Sequence, residues 1–297
     1  MKTINIIYVN NGVGLTKDAS ILREILVKAG YYVFLVEPRL AHTFKTADIA
    51  IHLEIIQSNF FRLGRKNIYF PNPEWYQFGW DKFLHQYDVV CAKTLDCERI
   101  FNNKHRNVVY TNFTSIDRFS EMEKIKSYLH TGGQSETKAT DKIYHAWRLG
   151  FGKLLLCSKK YNFKSTSNIL YRNWLLEKDH IYAQNKCLIH LCPSIYEGFG
   201  HIINEARSCG AVIVTTDAEP MKEFVSGNGF LIPVAKTGTM ALAKTYHVDH
   251  LGIAETIEQI EKIDYNILLK MGEISRKLYL NDKEIFEHRF LQIIKEL

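Results

Sequence analysis

Apolar and polar positions alternate in blocks along the first part of the chain. Short apolar runs, typical of buried strands, are followed by polar or glycine-containing turns and then by segments with apolar residues at helical spacing. The first such block has a strand at residues 4–9, a turn at residues 10–14 and a helix at residues 16–28 that Gly30 ends. This order of strand, glycine loop and helix, followed by another strand, predicts a doubly wound α/β sheet.

The alternation of strands and helices continues to residue 110 and then pauses. Residues 111–122 are polar and have no clear period, which predicts a connection between two domains. The alternation restarts near residue 127. Residues 234–251 contain many Lys, Thr and Gly residues and predict irregular structure.

The pattern therefore predicts an α/β protein with two Rossmann-like domains that face each other across a cleft. We expect an unusually short N-terminal domain at residues 1–115 and a C-terminal domain at residues 124–281. Two separate helices are expected near the end of the chain, at residues 265–279 and 282–297. The apolar stripe of the last helix predicts that one of its faces is buried against a domain.

Composition narrows the class of protein without naming a substrate. Of the 297 residues, 46% are hydrophobic and 24% are charged, as in a soluble globular protein. The formal net charge of +6 is spread along the chain, so it predicts a solvated surface and no nucleic-acid partner, while peripheral membrane contact stays open. The six cysteines form no C-x-x-C pair, and the first residues predict a strand and no signal peptide. We expect reduced thiols and a cytoplasmic protein.

The segment at residues 190–229 carries the densest set of candidate chemical groups. Its pattern predicts a strand, a glycine-rich turn and then a helix, whose first amides form an anion site. Glu197 and Glu205 lie eight positions apart, on the order of 10 Å along a helix, so they would hold different parts of one extended ligand. From the residues alone, a helix cap and a surface acid are an equally good interpretation.

This segment also resembles a known signature. Its fixed positions are Pro193, Ser194, Glu197, Gly198, Phe199, Gly200, Glu205, Ala206, Gly210, Asp217, Pro220 and Glu223. Together they resemble the E-x7-E signature of the family-four retaining glycosyltransferases of the GT-B fold. The resemblance implies a C-terminal domain that binds a nucleotide-diphosphate sugar, with Glu197 at the sugar hydroxyls and Glu205 at the ribose. It also implies that the amides of Phe199, Gly200 and His201 face the sugar and the diphosphate.

A second stretch, residues 132–140, resembles the family's diphosphate loop. Lys138 matches the lysine of that loop, but Gly132 and Gly133 stand where an arginine is expected. Lys159 or Arg172 are candidates to replace its charge. The predicted donor-binding residues are Gly12, Gly14, Gly133, Ser135, Lys138, Arg172, Ser194, Glu197, Gly198, Phe199, Gly200, His201 and Glu205.

The N-terminal half offers weaker candidates. Gly12-Val13-Gly14 resembles the short loop that lets acceptor and donor approach each other, although an ordinary tight turn explains it equally well. His52 resembles the family's strand-end histidine facing the donor sugar, and a satisfied core histidine is the alternative.

Asn72, Glu74 and Trp75 are candidates for acceptor recognition, and a packed loop is the alternative reading. The expected acceptor is a glycan, a lipid-linked or protein-linked group, or another hydroxyl compound.

The predicted catalytic residues are Glu197, Lys138 and His52. Lys138 and the helix-start amides can stabilise a leaving diphosphate without a metal, and the chain contains no Asp-x-Asp sequence. We therefore expect neither cofactor nor metal, and the resemblance implies retention of the anomeric configuration.

Two other functions stay open at this stage. An epimerase or hydrolase of the same fold would need acid and base groups, for which His52 and Glu74 are available. A non-catalytic sugar-nucleotide-binding subunit is favoured by the absent arginine and the short N-terminal domain.

Overall fold

The structure, a computed structural model, describes residues 2–297 and divides into two compact α/β units. The N-terminal unit comprises Met1–Ile116, Met240–Ala243 and Asn281–Leu297. The C-terminal unit comprises Asp117–Thr239 and Lys244–Leu280. Each unit contains a parallel sheet with helices, so the predicted α/β class with two Rossmann-like domains is confirmed.

The N-terminal unit is built on six parallel strands. These are β1 (Thr3–Ile7), β2 (Tyr32–Val36), β3 (Ala47–Leu53), β4 (Gly64–Phe70), β5 (Val89–Ala92) and β6 (Val108–Tyr110). The helices are α1 (Gly14–Lys28), α2 (Asp81–Leu84) and α3 (Leu95–Phe101), with short 3₁₀ turns that include Pro73–Trp75. The strand order is β2-β1-β3-β4-β5-β6. Strands after β2 are added on the other side of β1, so the switch point of the sheet lies between β1 and β3. Ligands of doubly wound sheets bind beyond the carboxyl ends of strands at such a switch point.

The C-terminal unit repeats this plan. Its parallel strands are β7 (Ile125–Gly133), β8 (Leu154–Ser158), β9 (Ile169–Arg172), β10 (Cys187–Leu191), β11 (Val212–Thr216) and β12 (Gly229–Ile232). Its helices are α4 (Thr140–Trp147), α5 (Glu177–Lys186), α6 (His201–Ser208), α7 (His250–Glu261) and the first half of α8 (Tyr265–Glu296). The strand order β12-β11-β10-β7-β8-β9 places the switch point between β7 and β10. The predicted diphosphate loop and the E-x7-E segment follow these two strands.

Each unit has its own aromatic core. In the C-terminal unit Tyr128 and Trp147 are fully buried with ring centroids 4.9 Å apart. In the N-terminal unit Tyr69 stacks on Tyr87 at 4.9 Å. Burying one such side chain stabilises the fold by roughly 2–3 kcal/mol. The six cysteines are all buried free thiols.

Residues 281–297 complete the core of the N-terminal unit. Phe286 packs against Phe113 with ring centroids 4.7 Å apart, and Phe290 packs against Phe70 at 6.0 Å. The Lys2 ammonium donates to the Ile294 carbonyl oxygen at 3.2 Å. This terminal segment is therefore part of the unit formed by the first 116 residues.

Two expectations about local structure are wrong. The end of the chain is one continuous helix, α8, because Asn281 and Asp282 each lower helix stability by only a few tenths of a kcal/mol and so do not end it. Part of the stretch expected to be irregular forms a two-stranded sheet of β13 (Lys236–Met240) and β14 (Ala243–His247). Its turn has Ala241 at φ 51°, a residue that gives no turn signal in a sequence.

Within residues 2–297, no helix combines the length and the apolar character that a membrane span requires.

Candidate active site

The candidate site lies at the switch point of the C-terminal sheet, where the loops after β7 and β10 meet. The Ile195 amide donates to the Thr137 carbonyl oxygen at 3.0 Å and joins the two loops. This bond brings Lys138 next to the Glu197 carboxylate, with which it forms an ion pair. The Ser194 hydroxyl donates to the same Glu197 oxygen at 2.5 Å. Three predicted site residues therefore converge on one point.

The backbone at Ser194 is fixed by the neighbouring strand. The Ser194 amide donates to the Thr216 hydroxyl oxygen at 3.1 Å, and the Thr216 hydroxyl donates back to the Ser194 carbonyl at 2.7 Å. Both residues are buried. Such reciprocal bonds hold the Ser194 hydroxyl in a defined position, and therefore orient the Glu197 carboxylate.

The turn after Glu197 leads directly into α6. Gly200, the residue before the helix, has φ +90°, a left-handed conformation that glycine adopts without strain. Phe199 is buried beneath this turn, and its ring centroid lies 5.1 Å from that of His201, the first helical residue. Gly198 lies between these residues and Glu197. The start of α6 carries the positive end of the helix dipole, which suits a phosphate.

Glu205 lies elsewhere on α6, in a separate buried ion-pair network. Its carboxylate accepts from the Gln184 side-chain amide of α5 at 3.2 Å, and its other oxygen lies 3.9 Å from an Arg118 guanidinium nitrogen. Arg118 also pairs with Glu177 at the start of α5. Burial opposes the charged guanidinium, but Glu177 and Glu205 together raise the pKa of Arg118. No sequence motif marks Arg118, which lies in the polar connection before β7.

Packing explains why Gly132 carries no arginine. A Cβ at this position would overlap the Thr140 hydroxyl oxygen and lie 3.0 Å from His130 Nε2. His130 Nδ1 donates to the Leu191 carbonyl at 2.8 Å, so its Nε2 accepts the Thr140 hydroxyl at 2.8 Å. Burial lowers the pKa of His130 to about 4 and keeps the ring neutral. Any side chain at Gly132 would break this arrangement.

Gly133 differs from Gly132, because no atom lies within 4 Å of a Cβ built there. Its φ of +57° is nevertheless left-handed, which strains any other residue. Ser135, two positions on, exchanges a 2.7 Å hydrogen bond with Thr137 and shapes the loop that delivers Lys138.

Of the two candidates to replace the arginine charge, Lys159 lies nearer this loop. Its amide donates to the Gly133 carbonyl at 2.8 Å, and its ammonium lies 3.7 Å from the centroid of the exposed Trp174 ring. The Arg172 guanidinium is exposed and donates to its neighbour Tyr171 at 3.0 Å.

His52 is a core residue, so the expectation that it faces a donor sugar is corrected. The ring is fully buried, its Nε2 donates to Asn67 at 3.0 Å, and its Nδ1 accepts from the Tyr87 hydroxyl at 3.1 Å. Burial lowers the pKa of His52 to about 4. Both ring nitrogens of His52 therefore already have hydrogen-bond partners. Of the two acid–base groups that the alternative epimerase or hydrolase function would need, only Glu74 is left as a candidate.

The glycine loop of the N-terminal unit is exposed. Gly12 has φ +67° and its amide donates to the Thr16 hydroxyl oxygen at 2.9 Å, while Gly14 is the first residue of α1. No atom lies within 4 Å of a Cβ built on either glycine. The loop therefore has the form of a helix-leading turn with free space beside it.

The acceptor candidates lie in the turn after β4. The Asn72 side-chain amide donates to the Glu54 carboxylate at 2.7 Å, and the Trp75 amide donates to the Asn72 carbonyl at 3.1 Å. Glu74 lies between them, and the Trp75 ring is exposed.

The two Rossmann-like units have the fold of the GT-B glycosyltransferases. Residues 153–277 match the family model described as "Glycosyl transferases group 1", and this range includes Glu197 and Glu205. The resemblance to GT-B glycosyltransferases inferred from the sequence is thus confirmed. A comparison of the sequence with curated proteins gives no match.

Solved structures of the same fold include several glycosyltransferases. A sucrose-phosphate synthase from Thermosynechococcus elongatus is 12% identical, with a TM-score of 0.74 over 100% of this chain and 99% of that one. HepE from Anabaena in complex with UDP and glucose is 12% identical, with a TM-score of 0.72 over 100% of both chains. An α-glucosyltransferase in complex with UDP is 12% identical, with a TM-score of 0.64 over 99% of this chain and 100% of that one. At this identity the likeness concerns the fold.

Proposed function

We propose that this glycosyltransferase moves a sugar from a nucleotide-diphosphate sugar to a hydroxyl acceptor, with retention of anomeric configuration and without a metal. The observation that carries the proposal is the Lys138–Glu197–Ser194 cluster beside the start of α6. One cation and a helix start offer binding to a diphosphate, and one oriented carboxylate offers acceptors to sugar hydroxyls.

In the proposed reaction, an acceptor hydroxyl oxygen forms a bond to the anomeric carbon of the donor sugar. The bond between that carbon and the diphosphate oxygen breaks, and the hydroxyl proton passes to the leaving nucleoside diphosphate. Lys138 and the start of α6 would stabilise the charge that develops on the diphosphate, so these groups supply what a metal ion supplies elsewhere. Retention itself rests on the family resemblance.

Lys159 is the residue we propose for the charge of the absent arginine. Its backbone is bonded to Gly133, whereas Arg172 donates to its own neighbour. The ammonium now faces the Trp174 ring and would have to turn toward the diphosphate. Because two of the similar structures contain UDP, we propose a UDP-sugar as the donor to test first.

The acceptor expected from the sequence is a glycan, a lipid-linked or protein-linked group. We also propose a cytoplasmic location, because the six cysteines are buried free thiols.

Nucleotide release tests the proposal directly. The protein is incubated with UDP-, GDP- and ADP-sugars and mixed hydroxyl acceptors, with and without EDTA, and the product linkage is assigned by NMR. We expect release from one donor class, no effect of EDTA and a product of unchanged anomeric configuration. Binding of a donor without release would instead support a non-catalytic subunit.

Variants assign the roles within the site. Lys138→Ala should lower turnover about 100-fold, the usual cost of losing one group that stabilises developing charge. Lys142→Ala is the matched control, because Lys142 lies in the first turn of α4, close to Lys138 in sequence, and forms an ion pair with its partly exposed neighbour Asp141 at 3.0 Å. Glu197→Ala should lower turnover most, and Glu205→Ala should mainly weaken nucleotide binding. Equal and negligible effects of the two glutamate variants would contradict the site.

A further inference from the structure

A second polar cluster lies at the carboxyl edge of the N-terminal sheet. Asp18 comes from α1, Glu54 follows β3, Asn72 and Glu74 follow β4, and Lys93 follows β5. The carboxyl ends of parallel strands are where α/β sheets bind ligands. Four separate elements thus bring chemically active side chains to the edge where a ligand would be expected.

The cluster is organised around one buried cation. The Lys93 ammonium lies 2.9 Å from an Asp18 carboxylate oxygen, and each side chain is 3% exposed. Burial opposes the charge, but Asp18, and after it Glu74 and Glu54, raise the pKa of Lys93 above its usual value. The carboxyl groups of Asp18, Glu74 and Glu54 therefore all stabilise the charge of this ammonium.

Glu54 is held in place from three sides. Its amide donates to the Phe70 carbonyl at 2.9 Å, its carbonyl accepts from the Tyr69 hydroxyl at 2.7 Å, and its carboxylate accepts from Asn72. Its backbone has φ 67°, which is rare for a residue other than glycine. Burial raises the pKa of the Glu54 carboxyl group, which Asn72 and Lys93 partly oppose.

Asn72 presents an acceptor whose hydrogen-bonding capacity is unused. The residue is 9% exposed, and its side-chain oxygen is buried with no hydrogen-bond partner among the residues that the structure describes. Leaving such an oxygen unsatisfied costs roughly 1–3 kcal/mol, so a ligand that donates a hydrogen bond to it offsets that cost. The side-chain nitrogen of the same amide donates to the Glu54 carboxylate, so the unused oxygen and that carboxylate belong to one hydrogen-bonded pair of side chains.

Trp75 adds an apolar surface to this polar group. Its ring is 57% exposed, and its amide donates to the carbonyl of Asn72 in the same 3₁₀ turn. An exposed aromatic ring can cover the C–H face of a sugar while neighbouring polar groups bind its hydroxyls.

We propose that Glu54, Asn72 and Trp75 form an acceptor subsite that takes a neutral, hydroxyl-rich group such as the terminal sugar of a glycan. The inference rests on the proposed glycosyltransferase function and narrows its acceptor. Sugar hydroxyls donate to the Asn72 oxygen and the Glu54 carboxylate, and the sugar face packs on Trp75. The Glu54 carboxylate of this subsite disfavours a phosphorylated acceptor, because like charges brought together without compensation weaken binding.

Direct binding tests this subsite without a donor. Methyl glycosides of glucose, galactose, mannose and N-acetylglucosamine are titrated into the full chain and followed by saturation-transfer NMR. The 6-phosphates of the same sugars are titrated in parallel. We expect at least one neutral glycoside to bind, and its phosphorylated counterpart to bind at least tenfold more weakly. Tighter or equal binding of the phosphorylated sugars, or no binding of any neutral glycoside, would overturn the proposal.

Two variants locate the site. Asn72→Ala should weaken glycoside binding about tenfold, as expected for losing one buried hydrogen bond. Trp75→Ala should also weaken it and keeps the test decisive if Asn72→Ala does not fold, because Trp75 is exposed. Tyr32→Ala is the matched control: Tyr32 is a 60% exposed aromatic at the amino end of edge strand β2. Equal effects of Trp75→Ala and Tyr32→Ala would overturn the assignment.

Nucleotide release separates this inference from the function on which it rests. A protein that binds neutral glycosides but releases nucleotide from no donor would contradict the proposed function alone. A protein that releases nucleotide but prefers phosphorylated acceptors would contradict the subsite alone.

Discussion

The two units share one plan and differ in how their switch points are charged. In the C-terminal unit each acid of the site lies beside a cation, with Glu197 beside Lys138 and Glu205 beside Arg118, which also pairs with Glu177. In the N-terminal unit the carboxyl groups of Asp18, Glu74 and Glu54 all favour the charged form of Lys93, and the side-chain oxygen of Asn72 has no partner among the described residues. The carboxyl edge of the C-terminal sheet therefore suits an anion that competes for a paired cation. The carboxyl edge of the N-terminal sheet suits a group that donates a hydrogen bond.

This difference arises from loop residues, while the sheets that carry them are alike. Both sheets are six-stranded and parallel, and in each the strand order reverses at a switch point inside the sheet. The ligand that each edge selects is thus set by a few side chains placed after the strands, which is how one fold supports different binding roles.

The largest loss of stability is expected when the buried ion pair of the N-terminal unit is broken. Lys93→Met should destabilise that unit by roughly 3–5 kcal/mol, because it leaves the Asp18 carboxylate buried without its cation. Hydrogen exchange of peptides covering β1 and β5 measures the loss in the full chain.

Lys66→Met is the matched control for this variant. Lys66 also lies 2.9 Å from its acid, Asp88, but the pair is partly exposed and should be worth about 1 kcal/mol or less. Similar losses for the two variants would show that the acid-rich edge does not depend on Lys93.

A smaller effect tests whether packing excludes a side chain from the diphosphate loop. Gly132→Ala should destabilise the C-terminal unit by about 1–3 kcal/mol, because the new Cβ overlaps the Thr140 hydroxyl. Combining it with Thr140→Ala should recover part of that loss, with a coupling of about 1 kcal/mol in a double-mutant cycle measured by urea unfolding.

Gly133→Ala provides the comparison, because space is open at Gly133 and only its left-handed backbone opposes a side chain. Its coupling to Thr140→Ala should be near zero. Equal coupling at both glycines would mean that backbone strain, and not the Thr140 hydroxyl, keeps this loop free of side chains.

Another effect concerns acid stability. Burial lowers the pKa of His52 in the N-terminal unit to about 4, and lowers those of His130 and His190 in the C-terminal unit to about 4 and about 3, from 6.5. The unfolded chain therefore binds protons first as the pH falls below 6.5, and the stabilising contribution of each neutral ring is lost toward pH 4. Each imidazole adds a slope of up to about 1.4 kcal/mol per pH unit.

Because the C-terminal unit has two of these histidines, its stability should fall more steeply. Hydrogen-exchange protection of β7 and β10, compared with that of β3 between pH 6.5 and 4, measures the difference. Replacing the exposed His85 by Gln should leave both slopes unchanged. A steeper fall in β3 would contradict the assignment.

Periodicity predicted most of the fold, because buried parallel strands and amphipathic helices leave local patterns. The prediction failed where stability depends on contacts distant in sequence. Nothing local marks Ala241 as a turn, and Asn281 and Asp282 stay helical within α8.

The prediction of the site also failed where contacts between residues distant in sequence decide the outcome. Lys138, Ser194 and Glu197 converge because the loops that carry them follow the adjacent strands β7 and β10. The family resemblance, and not the periodicity, assigned these residues to one site. His52 was misplaced, because an apolar strand followed by a histidine looks the same whether the ring is at the rim or in the core. Arg118 and Lys93 have no motif, and only the folded chain shows which acids they meet.

The order of synthesis gives the last helix a further consequence. The N-terminal unit is assembled from segments at both ends of the chain, and Phe286 and Phe290 fill its core against Phe113 and Phe70. During synthesis on the ribosome, residues 2–116 are made first, and Phe286 and Phe290 are made only after the whole C-terminal unit. The unit that begins first is thus completed last, and until then its unfilled apolar surface is open to chaperones and to aggregation.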